Sequence, residues 1–199
     1  MVPVETYLQQ AGLALVGSSV SLSSLGPHWL RDSPLLEDYT PDEADLLGAG
    51  LLRVRARPGQ VLVHEGDAGN WMMLVLSGTV DVTRRGRGRA APGAAAPGVA
   101  RANALAFGPR GEIIRLAVLR AGAAFGEMSM LDGEPRNATC TAIEAVDVAV
   151  ITRPAIARLI DKHPAVGAKL LVKLTQLLAQ RLRHTSNQVV RLLENNSAP

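Results

Sequence analysis

The chain has very little cysteine and no long apolar run, and each shortage excludes a class of protein. Its single cysteine, Cys140, cannot form an internal disulfide, which excludes a disulfide-stapled secreted domain and a cysteine-rich zinc site. The best candidate for a membrane span, residues 10–30, is broken by glycine, proline and serine. The first residues, Met-Val-Pro-Val-Glu, lack the basic start of a signal peptide. We therefore expect a cytoplasmic protein without a membrane anchor.

Aromatic residues and catalytic motifs are also scarce. Two each of Trp, Tyr and Phe are too few to form a stacking platform for single-stranded nucleic acid. The four histidines form no HxxxH or HExxH pair, and the chain has no Gly-x-Ser-x-Gly elbow and no P-loop. A Ser-His-Asp triad assembled by the fold remains open. These absences argue against an enzyme, a metal site and a resident cofactor.

The net charge of +3 is unevenly distributed. Residues 1–50 hold one basic and seven acidic residues, residues 84–120 hold eight arginines and one acidic residue, and residues 151–199 hold eight basic and two acidic residues. The two basic regions could attract a phosphate, a nucleic acid or an acidic partner. An ordinary solvated surface would have the same composition.

Composition divides the chain into an N-terminal arm (1–36), a β-rich domain (37–163) and a C-terminal helix (164–199). The Ser/Gly-rich arm is expected to pack on the domain or on a partner subunit. At the start of the domain, Thr40-Pro41-Asp42-Glu43 has the pattern of a capping box and predicts a helix from Pro41 to about Leu47.

The β-rich domain consists of short alternating runs separated by turn residues, which predicts an antiparallel sandwich or barrel. The predicted strands are Leu52–Ala56, Val61–Val63, Met72–Leu76, Thr79–Val82, Ile113–Leu119, Ala138–Ile143 and Asp147–Ile151. The stretch from Arg84 to Gly111 is dominated by Ala, Gly, Pro and Arg, and is predicted to be a mobile loop.

The last part of the chain has helical periodicity. Thr152-Arg153-Pro154 predicts one helix start, and Pro164 to Glu194 predicts a long helix. A stripe at spacings of three or four is typical of a two-stranded coiled coil and predicts a homodimer, although a helix lying across its own domain would show the same stripe. The stripe consists of Leu171, Leu174, Leu178, Leu182, Thr185, Val189 and Leu192.

The segment from Phe125 to Cys140 is the most distinctive part of the chain. Gly126 permits an unusual backbone angle, and Glu127 to Leu131 can form one helical turn whose free amides attract an anion. Pro135 then presents Arg136, whose guanidinium suits a phosphate. The Glu127 carboxylate would repel phosphate but could accept a hydrogen bond from a ribose 2′-hydroxyl. A plain turn-helix connection with a surface salt bridge between Glu127 and Arg136 explains the same residues.

This segment resembles the phosphate-binding cassette of the cyclic nucleotide-binding domain family, whose pattern is close to Phe-Gly-Glu, an apolar stretch and Gly-x-Pro-Arg. The resemblance covers roughly residues 36–194 and is strongest to sensor domains of the catabolite activator type. It implies a mainly β fold, a jelly-roll-like double-stranded β-helix with flanking helices and a long C-terminal dimerisation helix. It also implies that Glu127 accepts the ribose 2′-hydroxyl and Arg136 pairs with the cyclic phosphate. The other implied ligand-binding residues of the cassette are Phe125, Gly126, Met128, Ser129, Asn137 and Ala138.

A second resemblance lies in the long helix. Arg181-Leu182-Arg183-His184-Thr185-Ser186 resembles the part of the family's dimer helix that contacts adenine. It implies that Thr185 lies toward the base in its own subunit and Ser186 toward the base in the partner subunit. Thr185 could instead only set the register of a coiled coil.

Two departures from the family pattern bear on function. Asn137 replaces the commoner Ser, Ala or Thr, and the absence of Thr favours cAMP over cGMP. The chain ends at Pro199, so we expect no helix-turn-helix and no sequence-specific DNA binding. The favoured hypothesis is a stand-alone dimeric cAMP sensor that signals through an unidentified protein partner. The alternatives are an interaction module for another nucleotide, such as a cyclic dinucleotide, and the sensor fragment of a larger regulator or enzyme.

Overall fold

The computed structural model of the protein describes residues 3–86 and 112–196. The helices in these ranges are α1 (Val4–Gln10), α2 (Pro27–Asp32), α3 (Pro41–Gly48), α4 (Glu127–Asp132), α5 (Arg153–Lys162) and α6 (Pro164–Asn196), with a short 3-10 helix at Ser23–Leu25. The strands are β1 (Ala14–Gly17), β2 (Leu52–Ala56), β3 (Val61–Val63), β4 (Trp71–Ser77), β5 (Val80–Arg85), β6 (Ile113–Leu119), β7 (Ala124–Phe125), β8 (Thr139–Ala142) and β9 (Val146–Thr152).

The strands form two antiparallel sheets, one in the order β1-β2-β9-β4-β7 and the other in the order β3-β8-β5-β6. One apolar cluster, including Met73 and Val75 of β4 and Val80 of β5, lies between the sheets. A second cluster packs the opposite face of β4, including Met72 and Leu74, against the helices. Because β4 is buried on both faces, its sequence is a continuous apolar run. The architecture is mainly β and jelly-roll-like, as predicted.

The local sequence patterns of the domain are largely confirmed. Thr40 and Glu43 form the reciprocal capping box, with Thr40 Oγ1 accepting from the Glu43 amide at 3.2 Å. All seven predicted strands are present within a few residues, whereas β1 and β7 were missed because they are short. The predicted loop start at Arg84 is wrong, since β5 continues to Arg85 through its pairing with β6. Residues 87–111 of that predicted loop lie outside the described ranges.

The first residues contribute to the sandwich. Strand β1 pairs with β2, and Val4, Leu8 and Leu13 are buried in the cluster between the sheets. The division of the chain into arm, barrel and C-terminal helix remains a prediction.

Helix α6 has two halves with different surroundings. Its first half buries Val166, Leu170, Leu174 and Leu177 against its own domain. Only Leu174 of these belongs to the predicted stripe, and the stripe residue Leu171 is 39% exposed, so the alternative interpretation holds for Leu174 but not for Leu171. Farther along, Leu182 is 69% exposed. The side chain of the last predicted stripe residue, Leu192, lies outside the described part of the chain. No helix in the described ranges is long and apolar enough to cross a membrane.

Candidate functional site

A cleft with a volume of about 520 Å³ lies beside α4 and the loop that follows it. This volume suits a small-molecule ligand. The lining residues come from the turn after β3, from the end of β5, and from α4 and the loop to β8: Glu65, Gly66, Arg84, Met128, Ser129, Asp132, Glu134, Pro135, Arg136 and Asn137.

Helix α4 begins at a glycine that no other residue could replace without strain. Gly126 has a φ of +78°, and a Cβ at this position would lie 2.6 Å from Nη1 of Arg136. The single helical turn predicted after Gly126 is confirmed, and it ends at Gly133, whose φ is +80°. From the start of α5, Arg153 Nε donates to the Met130 carbonyl at 2.8 Å, which satisfies one of the carbonyls at the end of α4.

Arg136 lies in the wall of the cleft and is only 4% exposed. Its Nη1 donates to the Gly126 carbonyl at 2.6 Å, and its Nη2 donates to the Trp71 carbonyl at 2.6 Å. The guanidinium carbon lies 4.7 Å from the centroid of the Trp71 ring. Its Nε is buried and has no hydrogen-bond partner among the described residues. Burial lowers the pKa of Arg136.

Tyr7 of α1 packs against Trp71, the residue on which Arg136 is stacked. The Tyr7 and Trp71 rings have centroids 4.8 Å apart, and the Tyr7 hydroxyl donates to Asp67 Oδ2 at 3.3 Å. Burial, followed by the nearby Asp67 carboxylate, raises the pKa of Tyr7 to about 12. The Arg136 amide in turn donates to the Asp67 carbonyl at 2.8 Å. Sequence reasoning missed Tyr7 and Trp71, because no local pattern links residue 7 to residue 136.

Glu127 is 1% exposed and forms an ion pair with the long C-terminal helix. Its Oε1 accepts from Arg181 Nη1 at 2.5 Å, while Arg181 Nη2 donates to the Ala124 carbonyl at 2.5 Å. Its Oε2 is buried and has no hydrogen-bond partner among the described residues. The alternative of a surface salt bridge between Glu127 and Arg136 is therefore wrong, because Glu127 pairs with Arg181 and both predicted partners are buried. Sequence reasoning included Arg181 in the motif of the long helix but did not predict its contact with Glu127.

The structure places the other predicted ligand-binding residues in different environments. Phe125 and Ser129 are buried, Met128 is 47% exposed, Asn137 is exposed, and Ala138 is half-buried. Thr185 and Ser186 are exposed on α6, one turn beyond Arg181, and their hydroxyls donate no hydrogen bond to another described residue. Six of the predicted ligand-binding residues are not among those that line the cleft: Phe125, Gly126, Glu127, Ala138, Thr185 and Ser186. The ligand-binding roles of all these residues remain predictions.

In the residues that the structure describes, no group of three or more His, Cys, Asp or Glu side chains could hold a metal ion. The lone Cys140 is buried, and its burial raises its pKa to about 12, which keeps the thiol protonated near neutral pH.

Comparison with known proteins identifies the family that this chain resembles. Residues 101–163 match the model of the cyclic nucleotide-binding domain family. A solved structure of a cyclic nucleotide-binding domain from Methylobacillus flagellatus KT superposes with a TM-score of 0.69 at 29% identity, covering 90% of this chain and 88% of that one. The chain therefore contains a domain of the cyclic nucleotide-binding family.

Two curated relatives are regulatory proteins. The Cyclic AMP receptor protein of Thermus thermophilus is 30% identical over 154 residues, which are 77% of this chain and 59% of that protein. A cAMP-dependent protein kinase regulatory subunit of Yarrowia lipolytica is 30% identical over 132 residues, which are 66% of this chain and 28% of that protein. The chain thus spans little more than half of the first relative and less than a third of the second.

Proposed function

We propose that this protein is a regulatory cAMP sensor that dimerises through α6 and signals through a protein partner. The observation that carries the proposal is the pair of buried side chains, Glu127 and Arg136, held at the two ends of the α4 segment. Each keeps a buried polar atom without a hydrogen-bond partner among the described residues. A buried polar atom without a hydrogen-bond partner lowers the stability of the fold, and a ligand with matching groups would supply the missing partners.

Glu127 fits the sugar of a nucleotide. Its unpartnered Oε2 is an acceptor in a water-poor position, and a ribose 2′-hydroxyl is a neutral donor of the right kind. A phosphate would be repelled by the same oxygen. The carboxylate therefore selects a hydroxyl, as the resemblance to the family implies.

Arg136 fits the cyclic phosphate. Its two Nη atoms are held by backbone carbonyls and its guanidinium is stacked on Trp71, so its position is fixed before a ligand arrives. The unpartnered Nε and the remaining Nη hydrogens are available to a phosphate oxygen. The amides of Gly126, Met128, Asn137 and Ala138 would complete the cradle.

The link between ligand and signal runs through Arg181. This residue holds Glu127 from α6, so a hydroxyl bound to the same carboxylate changes the electrostatic balance at the contact between helix and domain. A ligand shifts such an element only by binding one arrangement more tightly than the other. Thr185 and Ser186, one turn farther along α6, would meet the base in their own and the partner subunit.

The preference for cAMP is supported by Asn137 and by the names of the two relatives, a cyclic AMP receptor protein and a cAMP-dependent kinase regulatory subunit. The same names favour a regulator over an enzyme. Dimerisation is supported by the exposed apolar side chains that continue along α6, such as Leu171 and Leu182.

Isothermal titration calorimetry with cAMP and cGMP tests the proposal. We expect the wild-type protein to bind cAMP more tightly than cGMP, and Arg136→Ala and Glu127→Gln to weaken both by at least about tenfold. Arg136→Ala removes a charged donor, and Glu127→Gln replaces a charged acceptor with a neutral one. Arg120→Ala, which removes an exposed arginine outside the cleft, serves as the control and should bind like the wild type. Equal binding by the wild type and Arg136→Ala would refute the assignment of the site.

A second candidate is the sensor segment of a longer regulator. The observation in its favour is that the match covers 59% and 28% of the two relatives. Sequencing the reading frame on both sides of this segment would decide between the two candidates.

A further inference from the structure

The inner face of β5 carries a charged residue where the alternation of the strand calls for an apolar one. Val80 is buried and pairs with Ala142, and Val82 is half-buried and pairs with Cys140. The next residue on the same face is Arg84, because successive side chains of a strand alternate between its two sides. Arg84 lines the cleft, and its side chain is 19% exposed.

Arg84 makes one long ion pair in the described protein but no side-chain hydrogen bond. Its Nε is buried without a hydrogen bond, and the nearest carboxylate oxygen, Glu65 Oε1, lies 3.6 Å away. Neither of its Nη atoms donates a hydrogen bond to another described residue. Arg136, by contrast, has both Nη atoms engaged by carbonyls. Of the two arginines that line the cleft, Arg84 is therefore the one with the more available donors.

Arg84 also reduces the negative charge that an anion entering the cleft would meet. The lining residues include three carboxylates, those of Glu65, Asp132 and Glu134. Arg136 alone would leave the lining with an excess of two negative charges, and Arg84 reduces the excess to one. A cleft with a strong excess of one sign repels a ligand of that sign.

We propose that Arg84 is a second cationic contact to the phosphate of the bound nucleotide, acting together with Arg136. The inference rests on the proposed function and deepens it. Position favours the phosphate over the base: Arg84 follows directly after Thr83, which pairs with Thr139, and Thr139 lies three residues after Arg136. Glu65 holds Arg84 by a long ion pair, and a phosphate oxygen replaces that carboxylate when the nucleotide binds.

Four variants test the role of Arg84 by calorimetry with cAMP and with cGMP. Arg84→Ala is expected to weaken both nucleotides by the same factor, about tenfold, since it removes a charge-assisted hydrogen bond to a group that both share. Arg84→Lys should recover part of the loss because it keeps the charge. Arg85→Ala, which removes the exposed arginine next in the strand, should change nothing. Glu65→Gln should strengthen binding, because it removes the competing carboxylate and keeps an acceptor for the Arg85 amide.

The outcomes separate this inference from the proposed function. If the wild type binds and Arg136→Ala does not, while Arg84→Ala binds like the wild type, the inference fails and the proposed function stands. A loss confined to one of the two nucleotides would also overturn it, since Arg84 would then read the base. If the wild type binds neither nucleotide, both fail. If circular dichroism shows that Arg84→Ala is unfolded, Arg84→Lys and Glu65→Gln provide the test. Arg84→Lys is expected to bind both nucleotides more weakly than the wild type, and Glu65→Gln is expected to bind them more tightly.

Discussion

Arg181 Nη1 lies 2.5 Å from Glu127 Oε1, and this contact joins the long C-terminal helix to the cassette of the candidate site. The first half of the helix is held separately, by the buried Lys173, which pairs with Glu37 at 2.8 Å and also with Asp38, and by Lys169, which pairs with Glu43 at 2.6 Å. Ion pairs thus attach the described part of the helix to its domain in two regions, one at Lys169 and Lys173 and the other at Arg181. Only the ion pair of Arg181 involves a predicted ligand-binding residue, Glu127.

Removing the Arg181 side chain is expected to weaken both the helix contact and nucleotide binding. Arg181→Ala leaves Glu127 buried without its cation, which we expect to cost about 1–2 kcal/mol of stability, since Arg181 itself is partly exposed. Chemical denaturation and calorimetry with cAMP measure the two effects. Arg183→Ala, which removes an exposed neighbour on the same helix, is the matched control. An unchanged affinity in Arg181→Ala would show that the contact plays no part in binding.

Gly126 and Gly133 have nearly the same φ, so alanine at each position can test the importance of the close contact between Gly126 and Arg136. A Cβ at Gly133, with a φ of +80°, meets no atom within 4 Å, so Gly133→Ala should cost only the strain of a left-handed alanine, about 1 kcal/mol. Gly126→Ala has the same strain and also displaces Arg136, so it should cost about 3 kcal/mol. Thermal unfolding measures both changes. Only Gly126→Ala should also lose affinity for cAMP, and a similar loss in both variants would contradict this account.

Tyr7 is expected to position Arg136 through Trp71. Tyr7→Ala removes the ring packed on Trp71 and should weaken cAMP binding several-fold, whereas Tyr7→Phe keeps the ring and should recover most of the affinity. In a Trp29→Phe background, Trp71 is the only tryptophan, and its fluorescence should shift to longer wavelength in Tyr7→Ala. If Tyr7→Ala unfolds more easily than the wild type but binds cAMP normally, the ring is only structural.

Stability should depend on pH through Asp147. Hydrogen bonds from Arg55 and then Arg53 hold the pKa of Asp147 at about 2, below its ordinary value near 4. A lowered folded-state pKa contributes stability above the unfolded pKa, and the contribution is lost as the pH falls through the folded value. Because both arginines are well exposed, Asp147→Asn should cost only about 1 kcal/mol at pH 7.

Urea unfolding between pH 7 and pH 2 measures this dependence. The difference between the wild type and Asp147→Asn should shrink below about pH 4 and vanish near pH 2. The exposed pair of Asp81 and Arg115 provides a comparison, because Asp81→Asn should cost less at every pH. A constant difference over the whole range would mean that Asp147 acts by packing and not by charge.

The sequence predicted most of the fold, because its signals were local. The capping box at Thr40 and Glu43, the alternating strands and the helix cap at Thr152 depend on residues a few positions apart. The two short strands, β1 and β7, were missed because four and two residues carry too little pattern. Gly126 and the helical turn after it were also predicted from local signals. A backbone angle and a short helix depend on neighbouring residues, as the cap at Thr152 does.

The candidate site was predicted only in part. By itself, the sequence determined the residue types of the cassette, Glu127 and Arg136 above all, and the helical character of α6. Tertiary structure decided which partners those residues have: Arg181 for Glu127, the Trp71 and Gly126 carbonyls for Arg136, and Tyr7 behind Trp71. It also turned Arg84 from a predicted loop residue into a lining residue of the cleft. Such contacts join residues 10 to 65 positions apart, and only the packing of the two sheets and α6 brings them together.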